Sequence, residues 1–108
     1  MLRDSRGRFL PARQTVESLV SGAPVRHVEL LVLRCYPHRT ARTPNYTGTV
    51  AAACARDETG IVGMVLWGDD ARSIIAGDVV RITDGWCRRN HGELVVSAGT
   101  RGTLEVVR

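Results

Sequence analysis

The sequence predicts an all-β domain: a small closed barrel of five short strands, with one short helical turn between the third and the fourth. Three observations carry this expectation. With 108 residues the chain is long enough for one compact domain and little more, and folding at this size hides roughly two-thirds of the unfolded surface. Its 14 Val, 4 Ile and 9 Thr supply branched side chains that suit a pleated interior. Its apolar residues alternate in short runs, divided by Gly, Pro, Asn and Asp.

Residues 1–15 carry Arg3, Arg6, Arg8 and Arg13 and have no apolar pattern beyond Leu2, Phe9 and Leu10, so they read as a flexible basic arm ahead of a domain spanning 16–108. Residues 15–20 allow a short turn or helix before Ser21-Gly22-Ala23-Pro24 punctuates the chain. The first strand is expected at 26–36. After it, the segment 37–45 combines Pro37 and Pro44 with Arg39 and Arg42, a composition that resists regular structure and places charge on a loop. The second strand is expected at 47–56, ending in Asp57-Glu58-Thr59-Gly60, where Gly60 can supply the positive φ of a tight hairpin.

In the third strand, 61–67, the pleat sends Val62, Met64 and Leu66 to the core and Gly63, Val65 and Trp67 to the other face. Asp69 and Asp70 can cap one or two helical turns that stop at Gly77. The fourth strand, 78–86, puts Val80 and Ile82 on a shared face; Asn90-His91-Gly92 breaks the chain; the fifth, 93–98, returns Leu94 and Val96 to the core. Residues 103–107 either extend the last strand or cover an open edge, and no internal repeat is visible.

The net charge is +4 with a pI near 9.6, and all 15 basic residues are Arg. Arginine suits phosphate, with which it forms planar bidentate hydrogen bonds, although a coding bias against Lys would leave the same composition. Cys35, Cys54 and Cys87 form no CxxC pair and are odd in number, which favours a reducing compartment. The basic start is followed by no secretory apolar stretch, and the longest apolar runs are far too short to span a bilayer, so the expectation is a soluble intracellular protein with no membrane partner.

Covalent chemistry finds little support. A zinc site built from Cys35, His38, Cys54 and Cys87 has ligand spacing only in Cys35-x-x-His38, where Pro37 restricts the geometry. The carboxylate pairs Asp57/Glu58 and Asp69/Asp70 have simpler roles in a turn and a cap, and no His, Lys or Ser constellation completes a catalytic set. The expectation is a binding protein that is not an enzyme and uses no metal or cofactor.

The aromatic residues point further. Trp67-Gly68 and Gly85-Trp86 stand at strand ends in a chain with only two Trp, two Tyr and one Phe. Exposed tryptophans are platforms for nucleobases, whereas buried ones are ordinary core; alternation assigns Trp67 to the non-core face.

Taken together, Asp57-Glu58-Thr59-Gly60, Val65-Leu66-Trp67-Gly68, Ile74-Ile75-Ala76-Gly77-Asp78-Val79-Val80-Arg81-Ile82, Trp86, Gly92 and Ala98-Gly99 resemble the simple single-OB-fold single-stranded DNA-binding proteins of crenarchaeal archaea and their eukaryotic relatives, the B subunits of the single-strand sensor complex. The resemblance spans roughly 16–107 and is most specific over 57–99. It implies an OB-fold whose outer groove binds single-stranded DNA without strong sequence preference, protecting or marking it in replication, recombination and repair.

Trp67 and Trp86 match two stacking positions of that family, while Asn90 stands where a further aromatic is common, leaving the adjacent His91 as a candidate. Gly63 occupies an outer position where archaeal relatives tend to carry a basic residue. Arg88 and Arg89, at the tip of the hairpin between the fourth and fifth strands, and Arg39 and Arg42, in the first loop, are candidate phosphate contacts. Arg81 is another, with Asp78 or Glu58 as competing partners, and Tyr46 beside the first loop is a candidate for stacking or for covering a barrel end. The implied partners are single-stranded DNA, RNA as a further option, and repair or replication proteins, with the protein a monomer. The alternative is an OB-fold module that binds RNA, tRNA or a protein partner.

Overall fold

The computed structural model describes Arg3, Arg6, Gly7 and residues 9–107. Among these residues seven strands form, β1 (Ala23–Cys35), β2 (Arg39–Thr43), β3 (Tyr46–Arg56), β4 (Ile61–Trp67), β5 (Val79–Asn90), β6 (Glu93–Ser97) and β7 (Thr103–Val107), with a 3-10 turn (Val16–Ser18) before β1 and one α-helix, α1 (Asp69–Ser73), between β4 and β5. Pairing follows the order β1-β3-β4-β6-β5, and β5 pairs back onto β1, so these five strands close on themselves. They are the five strands expected from the sequence. All contacts in this ring are antiparallel except β4 with β6.

The interior of the ring is filled by the alternating residues. Val28, Leu30 and Val32 of β1, Val62, Met64 and Leu66 of β4, Val80 and Ile82 of β5 and Val96 of β6 are all buried, and Leu94 packs partly against them. Each such side chain contributes roughly 1.5–3 kcal/mol relative to exposure, which makes this cluster the main source of stability.

Three local expectations are corrected. Residues 39–43 are a strand rather than an irregular loop: Pro37 and Pro44 fall outside β2, leaving a Thr- and Arg-bearing segment free to pair with β3, and Thr43 faces Tyr46 across the turn. Gly60 has no positive φ; the β3–β4 turn is held by the buried Asp57 carboxylate, which accepts hydrogen bonds from Thr59 N (2.7 Å), Thr59 Oγ1 (2.7 Å) and Gly60 N (3.1 Å). Asp69 and Asp70 do not cap α1, whose N-cap is Gly68 at φ 62°; the helix ends at Ser73, with the extended Ile74 as its C-cap and well before Gly77, and Asp69 pairs instead with Arg72 at 2.5 Å. Residues 103–107 take the second of their two expected roles: as β7 they cover the open edge of the first half of β5, outside the ring.

Residues 10–15, expected to belong to a loose arm, are docked against the barrel. Leu10 is buried, Gln14 N donates to His27 O at 2.7 Å, and Arg13 makes two hydrogen bonds to Glu58 at 2.9 and 2.8 Å. Asp57 also accepts from Val16 N at 2.7 Å, and Val16 and Leu19 join the core cluster. Arg3 bridges to Phe9, with its guanidinium 4.1 Å from the ring centroid, while Leu2 and Arg8 lie outside the described residues.

One irregularity in β5 decides which side chains face outward. Val80 and Ile82 point inward, and strict alternation from them would carry Trp86 into the core and Cys87 out. Asp84, however, has φ 55°, in the left-handed region, and this interrupts the pleat. Beyond it the phase is reversed: Cys87 is buried at 1% exposure and Trp86 is 47% exposed. Gly85 lies inside the turn of the chain, where a Cβ would collide with the Ser97 carbonyl and the Ile82 side chain. Gly85→Ala is therefore expected to destabilise the fold by about 2–3 kcal/mol, measured by urea unfolding; an unchanged midpoint would show that the bend relaxes freely.

Candidate nucleic-acid interface

A groove of about 800 Å³ runs along the outside of the ring, lined from several strands. Its walls include Trp67 and Val65 of β4, Trp86 and Arg88 of β5, Val95 and Ser97 of β6, Thr43, Asn45 and Tyr46 of the β2–β3 hairpin, and Gly99, Thr100 and Arg101 of the loop before β7. Both tryptophans thus open onto one groove. They arrive there by different routes, Trp67 through unbroken alternation in β4 and Trp86 through the phase reversal at Asp84.

The two rings are held differently. Trp86 is exposed, whereas Trp67 is half-buried and packed edge-on against Tyr46, with centroids 4.8 Å apart and planes at 73°. Tyr46 is fixed in turn by its hydroxyl, which donates to Thr49 O at 2.8 Å. The Trp67 Nε1–H is buried with no hydrogen-bond partner among the described residues, a cost of about 1–3 kcal/mol that the packing of the ring has to offset.

Among the arginines nominated from sequence, only Arg88 lines the groove. Arg88 and Arg89 are not at the hairpin tip: His91 and Gly92, at φ 51° and 84°, make a two-residue turn, so the ladder continues to Asn90 opposite Glu93. Adjacent strand positions face opposite ways, and Arg89 donates to Gly92 O at 2.9 Å instead. His91 is exposed at the tip, away from the groove lining, and Arg39 and Arg42 lie exposed on β2, opposite Val50 and Thr47.

Arg81 is placed elsewhere altogether. It bridges Glu29 of β1 at 3.1 Å and Glu105 of β7 at 3.4 Å, with only 14% of its side chain exposed, so its partners are cross-strand neighbours rather than Asp78 or Glu58. Burial would raise the Glu29 carboxyl, but hydrogen bonds from His27 and Arg81 outweigh it and hold the group below its ordinary value.

Sequence reading overlooked two charged groups on the groove, Asp84 and Arg101. Arg101 had a signal, an arginine set between Gly99 and Gly102 in a turn beside a strand end; Asp84 had none, because its place depends on the bend in β5. Cys87 is buried, Cys54 faces Gly63 on β4, and the Cys35 thiol donates to Ile74 O at 3.3 Å. Among the described residues no group of three or more His, Cys, Asp or Glu is placed to hold a metal ion, and no helix is long and apolar enough to cross a membrane.

This architecture defines an OB-fold domain. Solved structures agree: the OB domain of a Thermoplasma acidophilum protein aligns with TM-score 0.74 at 19% identity, covering 88% of this chain and 86% of that one. A replication factor A related protein from Methanobacterium thermoautotrophicum aligns with TM-score 0.71 at 28% identity, covering 89% and 91%. In sequence, the chain is 36% identical over 75 residues to the single-stranded DNA binding protein Ssb of Saccharolobus solfataricus, matching 69% of this chain and 51% of that relative. The chain is a single OB-fold similar to the single-stranded DNA-binding proteins, and it spans about half the length of the curated relative it matches. No family model matches it.

Proposed function

We propose that this protein binds single-stranded DNA, largely without regard to sequence, and protects or marks exposed strands during replication, recombination and repair. The observation that carries the reading is the presence of two tryptophans and two arginines, Trp67, Trp86, Arg88 and Arg101, on one outer groove. Unpaired bases stack on indole faces whatever their identity, and guanidinium groups follow the phosphates. The activity is binding alone, with no covalent step.

Titration of the intrinsic tryptophan fluorescence with oligonucleotides tests this. Single-stranded DNA is expected to quench the signal saturably, to outcompete duplex DNA and tRNA, and to bind less tightly as salt rises, because fewer counterions are released. A preference for duplex DNA or tRNA would sink the reading, and a salt-insensitive affinity would remove the arginines from it.

A further inference from the structure

Asp84 is an anomaly on a surface read as a path for a polyanion. It lines the same groove as Trp86, Arg88 and Arg101, is exposed, and its carboxylate makes no hydrogen bond or ion pair among the described residues. The backbone at this point needs a residue that tolerates φ 55°, and Asn or Gly would meet that need equally well. What they lack is the carboxylate. An ionised carboxylate only accepts hydrogen bonds, through two oxygens side by side, and it repels phosphate.

Among the bases, guanine alone offers two adjacent donors, N1–H and N2–H, on its pairing edge; adenine and cytosine set a donor beside an acceptor, and thymine flanks its single donor with two acceptors. Two residues along β5 from Asp84 stands the exposed ring of Trp86, which can hold a base flat, and Arg101 opens onto the same space. We infer that Asp84 reads the pairing edge of a base seated in this groove and confers a preference for guanine at one position of an otherwise sequence-tolerant site. The inference rests on the single-strand reading above and refines it.

The test compares an oligothymidylate of about ten to sixteen nucleotides with versions carrying one guanine at successive positions, for the native protein and for Asp84→Asn. Asparagine keeps the backbone conformation but replaces one acceptor oxygen with a donor, so the paired geometry is lost. The native protein is expected to bind the best-placed single-guanine strand about tenfold more tightly than oligothymidylate, the value of one bidentate base contact, and Asp84→Asn is expected to bind both alike. Circular dichroism of the variant checks that the fold is kept.

A guanine advantage equal in both proteins, or absent from the native one, overturns the inference while leaving single-strand binding intact. An equal gain in affinity for both strands in Asp84→Asn, which leaves any preference unchanged, overturns it too, since it would make Asp84 only a repulsive charge. Failure of every strand to bind overturns the single-strand reading and this inference together.

Discussion

Trp86→Ala is expected to weaken single-stranded DNA binding by about 1–3 kcal/mol, roughly five- to 150-fold in Kd, while leaving the thermal midpoint nearly unchanged. The ring is 47% exposed on the groove, so removing it takes away a stacking surface without opening the core. Trp67→Ala should behave differently. It removes a groove ring as well, but one that is half-buried against Tyr46, and an edge-on aromatic pair contributes about 0.5–1.5 kcal/mol beyond its buried area. That variant is expected to lose both affinity and stability. Fluorescence anisotropy of a labelled oligonucleotide, paired with thermal melts of each variant, separates the two; native affinity in Trp86→Ala would place the bound strand elsewhere on the molecule.

The largest effect on stability is expected at Asp57. Its carboxylate ties two parts of the chain together, accepting from Val16 N and, within the β3–β4 turn itself, from Thr59 and Gly60. Asp57→Ala leaves buried N–H groups unpaired and is expected to cost about 3 kcal/mol, with a fall in Tm of roughly 10–15 °C. Burial by itself would raise the acid's pKa, but these hydrogen bonds prevail and hold it below the ordinary aspartate value.

The sign of the pH dependence follows. In the unfolded chain the group titrates near pH 3.9, so its contribution is complete above that point and disappears as the pH falls through the lower folded value. Urea unfolding at about pH 7 and about pH 3 should show a smaller acid-induced loss for Asp57→Asn than for the native protein. The remainder belongs in part to Glu29 and to Glu58, the latter lowered by its hydrogen bonds from Arg13. Equal acid sensitivity in the two proteins would refute this role for Asp57.

The legible parts of this protein were those governed by local rules. Alternation from Val62 to Trp67 separated core from groove in β4, because a strand with no irregular φ has no choice about where its side chains point. Leu94 and Val96 were read in the same way. Composition misled where pairing could override it: Arg39 and Arg42 looked like loop residues until β3 offered them a partner strand. Arg88 and Arg89 looked equivalent, yet only Arg88 shares the groove with Trp86, since neighbours in a ladder alternate and the tight turn at His91 and Gly92 extends that ladder to Asn90.

By itself, then, the amino-acid order determined a five-stranded barrel with apolar alternation inside, a surplus of arginine and a tryptophan, Trp67, at a strand end, whereas Trp86, expected at the end of its strand, lies within β5. Only the tertiary structure decided that both tryptophans open onto the same groove. A local pattern continued from Val80 and Ile82 sends Trp86 inward; a single left-handed residue, Asp84, reverses the phase and turns it out. No periodicity records that reversal, because it arises where β5 leaves β7 and takes β6 as its partner, with Gly85 pressed against the Ser97 backbone.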